Sequence, residues 1–436
     1  MAHRYIARWC TARLLANVGR SRLSCGSRLD HGPFPTAASA AQAVTPAWPP
    51  VLIALIATFA VQLLASAGSA TTQVAAPALA DAIAAEVRLL GVYTALLFVA
   101  TLASGLVAGS LVTRFGAIRI SQVALLSCAM GLVVATAGNT AALAVCAILV
   151  GCGLGPATPA SSHLLARLAP PGWRNIVFSL KQTGVPLGIG LAGLIVPPLT
   201  VGWGWRAGFL AVAGLCLATA ALLQPIRTTF DSDLETGARI RPFNPLAPLS
   251  AVLTDRKFHP LLSASLVFTG NQSCINSFLV SALVADVGMD LVSAGVVFSL
   301  ALATGAAARL WWGWVADRWV RPYRVLAIVG FGIGLSNLLF GLLDASWPIH
   351  GIAAIAMVMA VMSIGWNGVY LAELSRLAGP IGAAEATGAG AVVSFTGVVI
   401  MAPLFSLILG WSGSYGLAFA LFGFCSAAVA LPLLRR

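Results

Sequence analysis

The sequence predicts an all-α integral membrane protein whose twelve transmembrane helices form two six-helix bundles. Three observations carry this expectation. The 436 residues are 59% hydrophobic and only 9% charged, against about 25% charged in soluble chains. No soluble chain of this length could hide so much apolar surface. From Pro49 onward, twelve apolar runs alternate with short polar breaks, and about 20 apolar residues suffice to cross a bilayer core. Basic residues then fall almost wholly on one side of the implied topology.

Residues 1–48 stand apart as a basic tail. Arg4, Arg8, Arg13, Arg20, Arg22 and Arg28 face a single acid, Asp30, and no run there is long enough to span. An Arg-rich, acid-poor leader can be an organelle-targeting peptide. A disordered cytoplasmic tail or a misassigned start codon fits the same residues and is the plainer reading. The spans follow at about 51–73, 90–112, 118–138, 141–166, 175–198, 207–225, 259–285, 292–314, 323–343, 349–373, 383–409 and 413–433. They must be helices, because lipid offers no partner to open backbone groups. Residues 49–225 make an N-terminal bundle and 259–436 a C-terminal one. Between them, 226–258 contains "TTFDSDLETGARIRPFNPLAPL", whose charges and prolines read as a cytoplasmic linker. With the N-terminus inside, 23 of the 25 Lys and Arg lie on the cytoplasmic side, and only Arg88 and Arg206 lie outside.

The net charge of +12 would suit nucleic acid if it were gathered in one place. It is dispersed between apolar runs, so the lipid bilayer is the expected partner and nucleic acid is not. Arg outnumbers Lys 23 to 2, beside heavy Ala and Gly usage. That bias suggests a GC-rich bacterial genome, hence a bacterial inner membrane with both termini cytoplasmic. The eight cysteines form no C-x-x-C pair and six sit in apolar runs, where Cys acts as a small hydrophobe. No disulfide framework, metal or cofactor is expected. The absence of H-E-x-x-H and of paired deep carboxylates argues against an enzyme, and no catalytic residue is assigned.

The halves echo each other. After span two comes "GSLVTRFGAIR" (109–119), and after span eight "GWVADRWVRPYR" (313–324); each starts on Gly and places Arg five residues on. Arg167 and Arg376 end spans four and ten at an offset of 209 residues. Equivalent loops in equivalent places imply a duplicated six-helix unit, and parallel repeats of this kind are a transporter architecture with its site between the halves. On these residues the chain, over about 49–433, resembles the major facilitator superfamily. Gly313, Asp317, Arg318 and Arg324 match that family's loop signature. The resemblance implies a gating role for Gly109, Arg114, Gly313, Asp317 and Arg318, although Thr113 stands where the family usually has Asp. "KQTGVPLG" and "WNGVYLAELSRLA" more weakly resemble bacterial organic-anion or cyanate-permease members.

Candidate solute contacts follow from polar residues inside apolar spans. Lys181 sits roughly 9 Å into span five at about 1.5 Å per residue. Its stem could snorkel to the headgroups, or its charge could face a cavity with Gln182 as an anion's counter-charge. Pro186 removes a backbone bond and clashes with the carbonyl of Gln182, predicting a bend there. "GIGLAG" (188–193) matches a nucleotide fingerprint only formally; inside a span, its glycines serve close helix approach. Span seven holds Asn271, Gln272 and Asn276, amides that must face protein or water; interhelical bonding and cavity lining are both open. Gln62 and Ser66 recur at helical spacing in span one. Span ten offers Asn367 and Tyr370 on one face. Glu373 pairs with Arg376 or carries a coupling proton, and His163 reads as structural. Arg309 lies two turns above the loop after span eight, and Trp311, Trp312 and Trp314 read as an interfacial belt.

The expectation is a secondary transporter of a small solute, an organic anion because the deep charges are basic. Alternating access by rocking halves, proton coupling and a monomeric state complete it. A drug or metabolite efflux antiporter, or a non-transporting membrane sensor, are the alternatives.

Overall fold

Twelve long helices cross one another in a computed structural model that describes residues 48–83, 89–170, 173–234, 237, 239–240, 244, 246–344, 346–379 and 382–435. Residues 1–47 of the basic tail, and Arg88, lie outside the described residues. The helices are α1 (Trp48–Val74), α2 (Leu89–Phe115), α3 (Ala117–Ala135), α4 (Thr140–Leu168), α5 (Arg174–Trp203) and α6 (Trp205–Leu222). The second six are α7 (His259–Ala285), α8 (Leu291–Arg318), α9 (Pro322–Phe340), α10 (Ile349–Leu377, interrupted at Trp366), α11 (Ala383–Ser412) and α12 (Tyr415–Leu434). Eleven of these are long and apolar enough to cross a membrane. The exception is α7, whose amides and hydroxyls dilute an otherwise apolar sequence. An even number of crossings leaves the start of α1 and the end of α12 on one side, called here the termini side.

Each half packs in the same order. The pairs α1–α5, α2–α4, α3–α6, α1–α6 and α3–α4 recur as α7–α11, α8–α10, α9–α12, α7–α12 and α9–α10. The halves meet along two seams, α5 against α8 and α2 against α11. Small residues allow these approaches, as they do wherever lipid supplies no hydrophobic drive between helices. At the far side, a Cβ on Gly295 of α8 would strike Gly193 and Pro197 of α5, and one on Gly91 of α2 would strike Ala402 and Ser406 of α11. At the termini side, Gly109 and Gly313, on the same two helices, face open space. Both seams are thus closely packed at the far side, while Gly109 and Gly313 meet no neighbour at the termini side.

The linker is less free than its composition suggests. It begins as a helix, Gln224–Phe230, and a second helix, Leu246–Thr254, packs on α11. Between them, Asp231 accepts hydrogen bonds from the Ile118 and Arg119 amides (2.8 and 3.0 Å). Those amides are two of the four that a helix N-terminus leaves without an internal partner. The residue that should cap them is Gly116, which has no side chain and adopts φ +96°. A carboxylate 113 residues away in the chain does the capping instead. Asp231→Ala is expected to cost about 1 kcal/mol, read as a lower denaturation midpoint in detergent with helix content unchanged. Asp233 meanwhile binds Arg167 and His163 at the end of α4. Burial pushes the Asp233 carboxyl up, but the bonds from Arg167 and His163 outweigh it and hold it below the usual carboxylate value. Its hold on the linker is therefore present above about pH 4, the ordinary carboxylate range, and is lost as pH falls through the depressed folded-state value.

The tryptophan belt is partly corrected. Trp311 and Trp314 are exposed and meet at a tilt with centroids 5.3 Å apart, but Trp312 turns inward against Gly365. Three residues within one helical turn cannot all face lipid.

Candidate functional site

The central polar groups come from α1, α4, α5, α7, α8 and α10. On α1, Gln62 is buried and its Oε1 accepts from the Thr158 hydroxyl of α4 at 3.2 Å. On α7, Gln272 Oε1 accepts from Asn367 Nδ2 of α10 at 3.3 Å. Thr158 and Asn367 are 209 residues apart, the same offset as Arg167 and Arg376. In both halves, then, the first helix is tied to the fourth through an amide. The Ser66 hydroxyl and Asn276 Oδ1 are buried and have no partner among the described residues. A buried acceptor or donor left open is costly, which makes these two atoms candidates for a solute contact.

The basic groups gather on the α5–α8 seam. Lys181 is 1% exposed, and its Nζ donates to Gln182 Oε1 at 3.1 Å. That burial settles its direction: the stem points into the protein rather than out to the headgroups. Pro186 has no N–H, so the Gln182 carbonyl loses its partner in the helix ladder. The structure supplies another. Arg309 Nη1, from α8, donates to that carbonyl at 3.3 Å. Arg309 Nε donates to the Ile364 carbonyl at 3.3 Å, next to the interruption of α10 at Trp366. Two helix irregularities, one in each half, thereby orient one guanidinium, which retains further N–H donors. The bend expected at Lys181–Gln182 does not break α5, which runs unbroken to Trp203. No carboxylate forms an ion pair with Lys181 or Arg309 among the described residues.

The remaining expected residues are placed elsewhere. Asn271 is fully buried within the C-terminal half, donating to the Ser363 hydroxyl (3.3 Å) and accepting from Asn337 Nδ2 (2.7 Å). This is interhelical bonding, the first of the two readings open for that amide. Asn337→Leu is expected to cost about 1–3 kcal/mol by stranding the Asn271 carbonyl, measured as lost thermostability with solute KM unchanged. Tyr370 packs against Trp366 (centroids 5.4 Å) beside Phe268. Glu373 is 2% exposed and takes a bidentate pair from Arg376 (2.8 and 2.6 Å). Among the gating positions, Arg114 lies over the Phe115 ring at 5.3 Å, and Asp317 and Arg318 are exposed and make no ion pair with each other or another described residue. Sequence reading missed Asn337, Thr158 and Asp231. Asn337 is a single amide with no polar companion three or four residues away, Thr158 shares its face with Ser161 but gives no sign of its partner on α1, and Asp231 acts across distant chain.

Two duplicated six-helix halves joined along two seams, with polar groups gathered between them, define a multi-pass membrane transporter. Residues 58–400 match the Major Facilitator Superfamily. The chain belongs to that family. A gallate transporter of Pseudomonas putida is 27% identical over 365 residues, covering 76% of this chain and 79% of its own. Human monocarboxylate transporter 11 is 26% identical over 249 residues, 54% of this chain and 51% of its own. A crystal structure of a peptide transporter in complex with sulfate superposes with a TM-score of 0.69 at 16% identity, over 88% of this chain and 94% of that one.

Proposed function

We propose that the protein is a secondary transporter of a small organic anion. One observation carries this reading: Lys181, buried, and Arg309, half-buried, converge on Gln182 from opposite halves without a carboxylate counter-charge among the described residues. Basic groups away from water are costly unless paired, and an anionic solute would pair them. The names of the gallate and monocarboxylate relatives agree with an acidic cargo. Gln62, Ser66, Gln272, Asn276 and Asn367 supply hydrogen bonds around the charge. Tyr370 and Asn271 support the helices that carry these groups.

Alternating access proceeds by rocking the halves about their seams, with the far side closed in the state described and the loops around Gly109, Arg114, Gly313, Asp317 and Arg318 latching the termini side in the other. Proton coupling, with Glu373 as carrier, a monomer, and a bacterial inner membrane with cytoplasmic termini complete the proposal. The test is a solute screen in proteoliposomes with imposed pH and sodium gradients, setting organic anions against lipophilic cations. Saturable anion uptake supports the reading. Uptake of cations alone points instead to efflux of drugs.

A further inference from the structure

The repeat gives the two seams a common register, and that register exposes an asymmetry between them. Gly295 of α8 meets Gly193 and Pro197 of α5; Gly91 of α2 meets Ala402 and Ser406 of α11. Gly295 lies 204 residues after Gly91, while Ala402 and Ser406 lie 209 after Gly193 and Pro197. Two contacts thus agree on both offsets. Applied further along the same helices, the offsets carry Arg309 onto Gly105 and Lys181 onto Gly390. The basic pair of one seam becomes a glycine pair in the other. On α2 the only basic residue is Arg114, nine residues nearer the termini side, and α11 has none. What the α2–α11 seam offers instead is an aromatic pair, Phe98 and Phe395, with centroids 5.8 Å apart and both half-buried. Phe98 lies seven residues from Gly105, and Phe395 five from Gly390, in each case toward the far side.

We propose that the site selects a monoanion with an apolar, aromatic body, its single carboxylate on the α5–α8 seam and its ring toward Phe98 and Phe395. This rests on the organic-anion reading and narrows it. A ring stacks or meets edge-on with such a pair. A second carboxylate at the opposite end of the ring would lie toward Phe98 and Phe395, on helices with no basic residue at that depth, where an ionised group without a counter-charge is strongly disfavoured. Discrimination then comes from the missing counter-charge rather than from an added clash.

The test is equilibrium binding of benzoate and of terephthalate, its para-dicarboxylate, to the purified full-length protein in detergent. Benzoate is expected to bind saturably, with terephthalate weaker by at least about tenfold, the worth of one poorly matched group. Gly105→Arg restores the missing basic group where a Cβ has room, its nearest neighbour being the Gly155 carbonyl at 3.8 Å; this variant is expected to shrink the difference to about threefold or less. Equal binding of the two anions by the unaltered protein overturns the proposal and leaves the organic-anion reading standing. Binding of neither overturns the proposal, and failure of every organic anion in the uptake screen overturns the reading beneath it. The comparison in the unaltered protein decides the matter even if Gly105→Arg does not fold.

Discussion

Lys181→Met is expected to abolish the proposed uptake of organic anions while the protein still inserts and remains folded. Methionine keeps most of the stem volume, so the packing around α5 survives. A central lysine costs about 2.5–3.5 kcal/mol on insertion scales, and the variant is spared that cost. Its thermostability in detergent should therefore hold or rise. Function moves the other way. Removing one side of a buried charge pair costs about 2–5 kcal/mol in binding, which is roughly thirtyfold or more in affinity at the low end. Opposite signs for stability and uptake separate loss of a solute contact from simple misfolding. Uptake by Lys181→Met at the level of the unaltered protein would remove Lys181 from the site. Arg309→Met is expected to lose uptake as well, but it also cuts hydrogen bonds to Gln182 and Ile364, so its stability should fall.

Gly295→Phe is expected to prevent the far side from closing and to stop turnover. A Cβ alone at this position meets the Pro197 ring at 2.6 Å, and a phenyl group has no room on a seam built from glycine. The cost of such overpacking is typically about 1–3 kcal/mol, enough to shift a two-state equilibrium about fivefold to more than a hundredfold toward the open far side. Spin labels on the exposed far-side positions Leu194 and Val296 should move apart in the variant. Unchanged distances together with normal turnover would show that closure of this seam is not part of the cycle. Gly91→Phe, at the equivalent place on the other seam, should behave alike.

The fold was open to reading because its causes are local and repeated. Apolar length sets each span, and the expected spans differ from the helices by a few residues at their ends. Lys181, Gln182, Gln272 and Asn367 could be found because polar residues in lipid-length runs are conspicuous. Other features depend on partners that no local pattern indicates. Nothing in "LSNLLF" says that Asn337 will meet Asn271 from two helices away. Nothing in "TTFDSD" says that Asp231 will cap α3. Pro186 is the intermediate case. Its chemistry identified the Gln182 carbonyl as the one set free, and only the structure shows which donor takes it.

That carbonyl bears on how tightly the carrier is geared. The bond from Arg309 to Gln182 joins one half to the other, so any excursion that parts them along the α5–α8 seam strips a guanidinium and a carbonyl of their shared contact. An empty protein has nothing to put in its place, and stranding such groups costs on the order of 1–3 kcal/mol. A bound carboxylate can take over the guanidinium's side of that contact. In the proposed cycle, futile turnover is thereby discouraged by a ring nitrogen that cannot donate, four residues away from the carbonyl it leaves exposed.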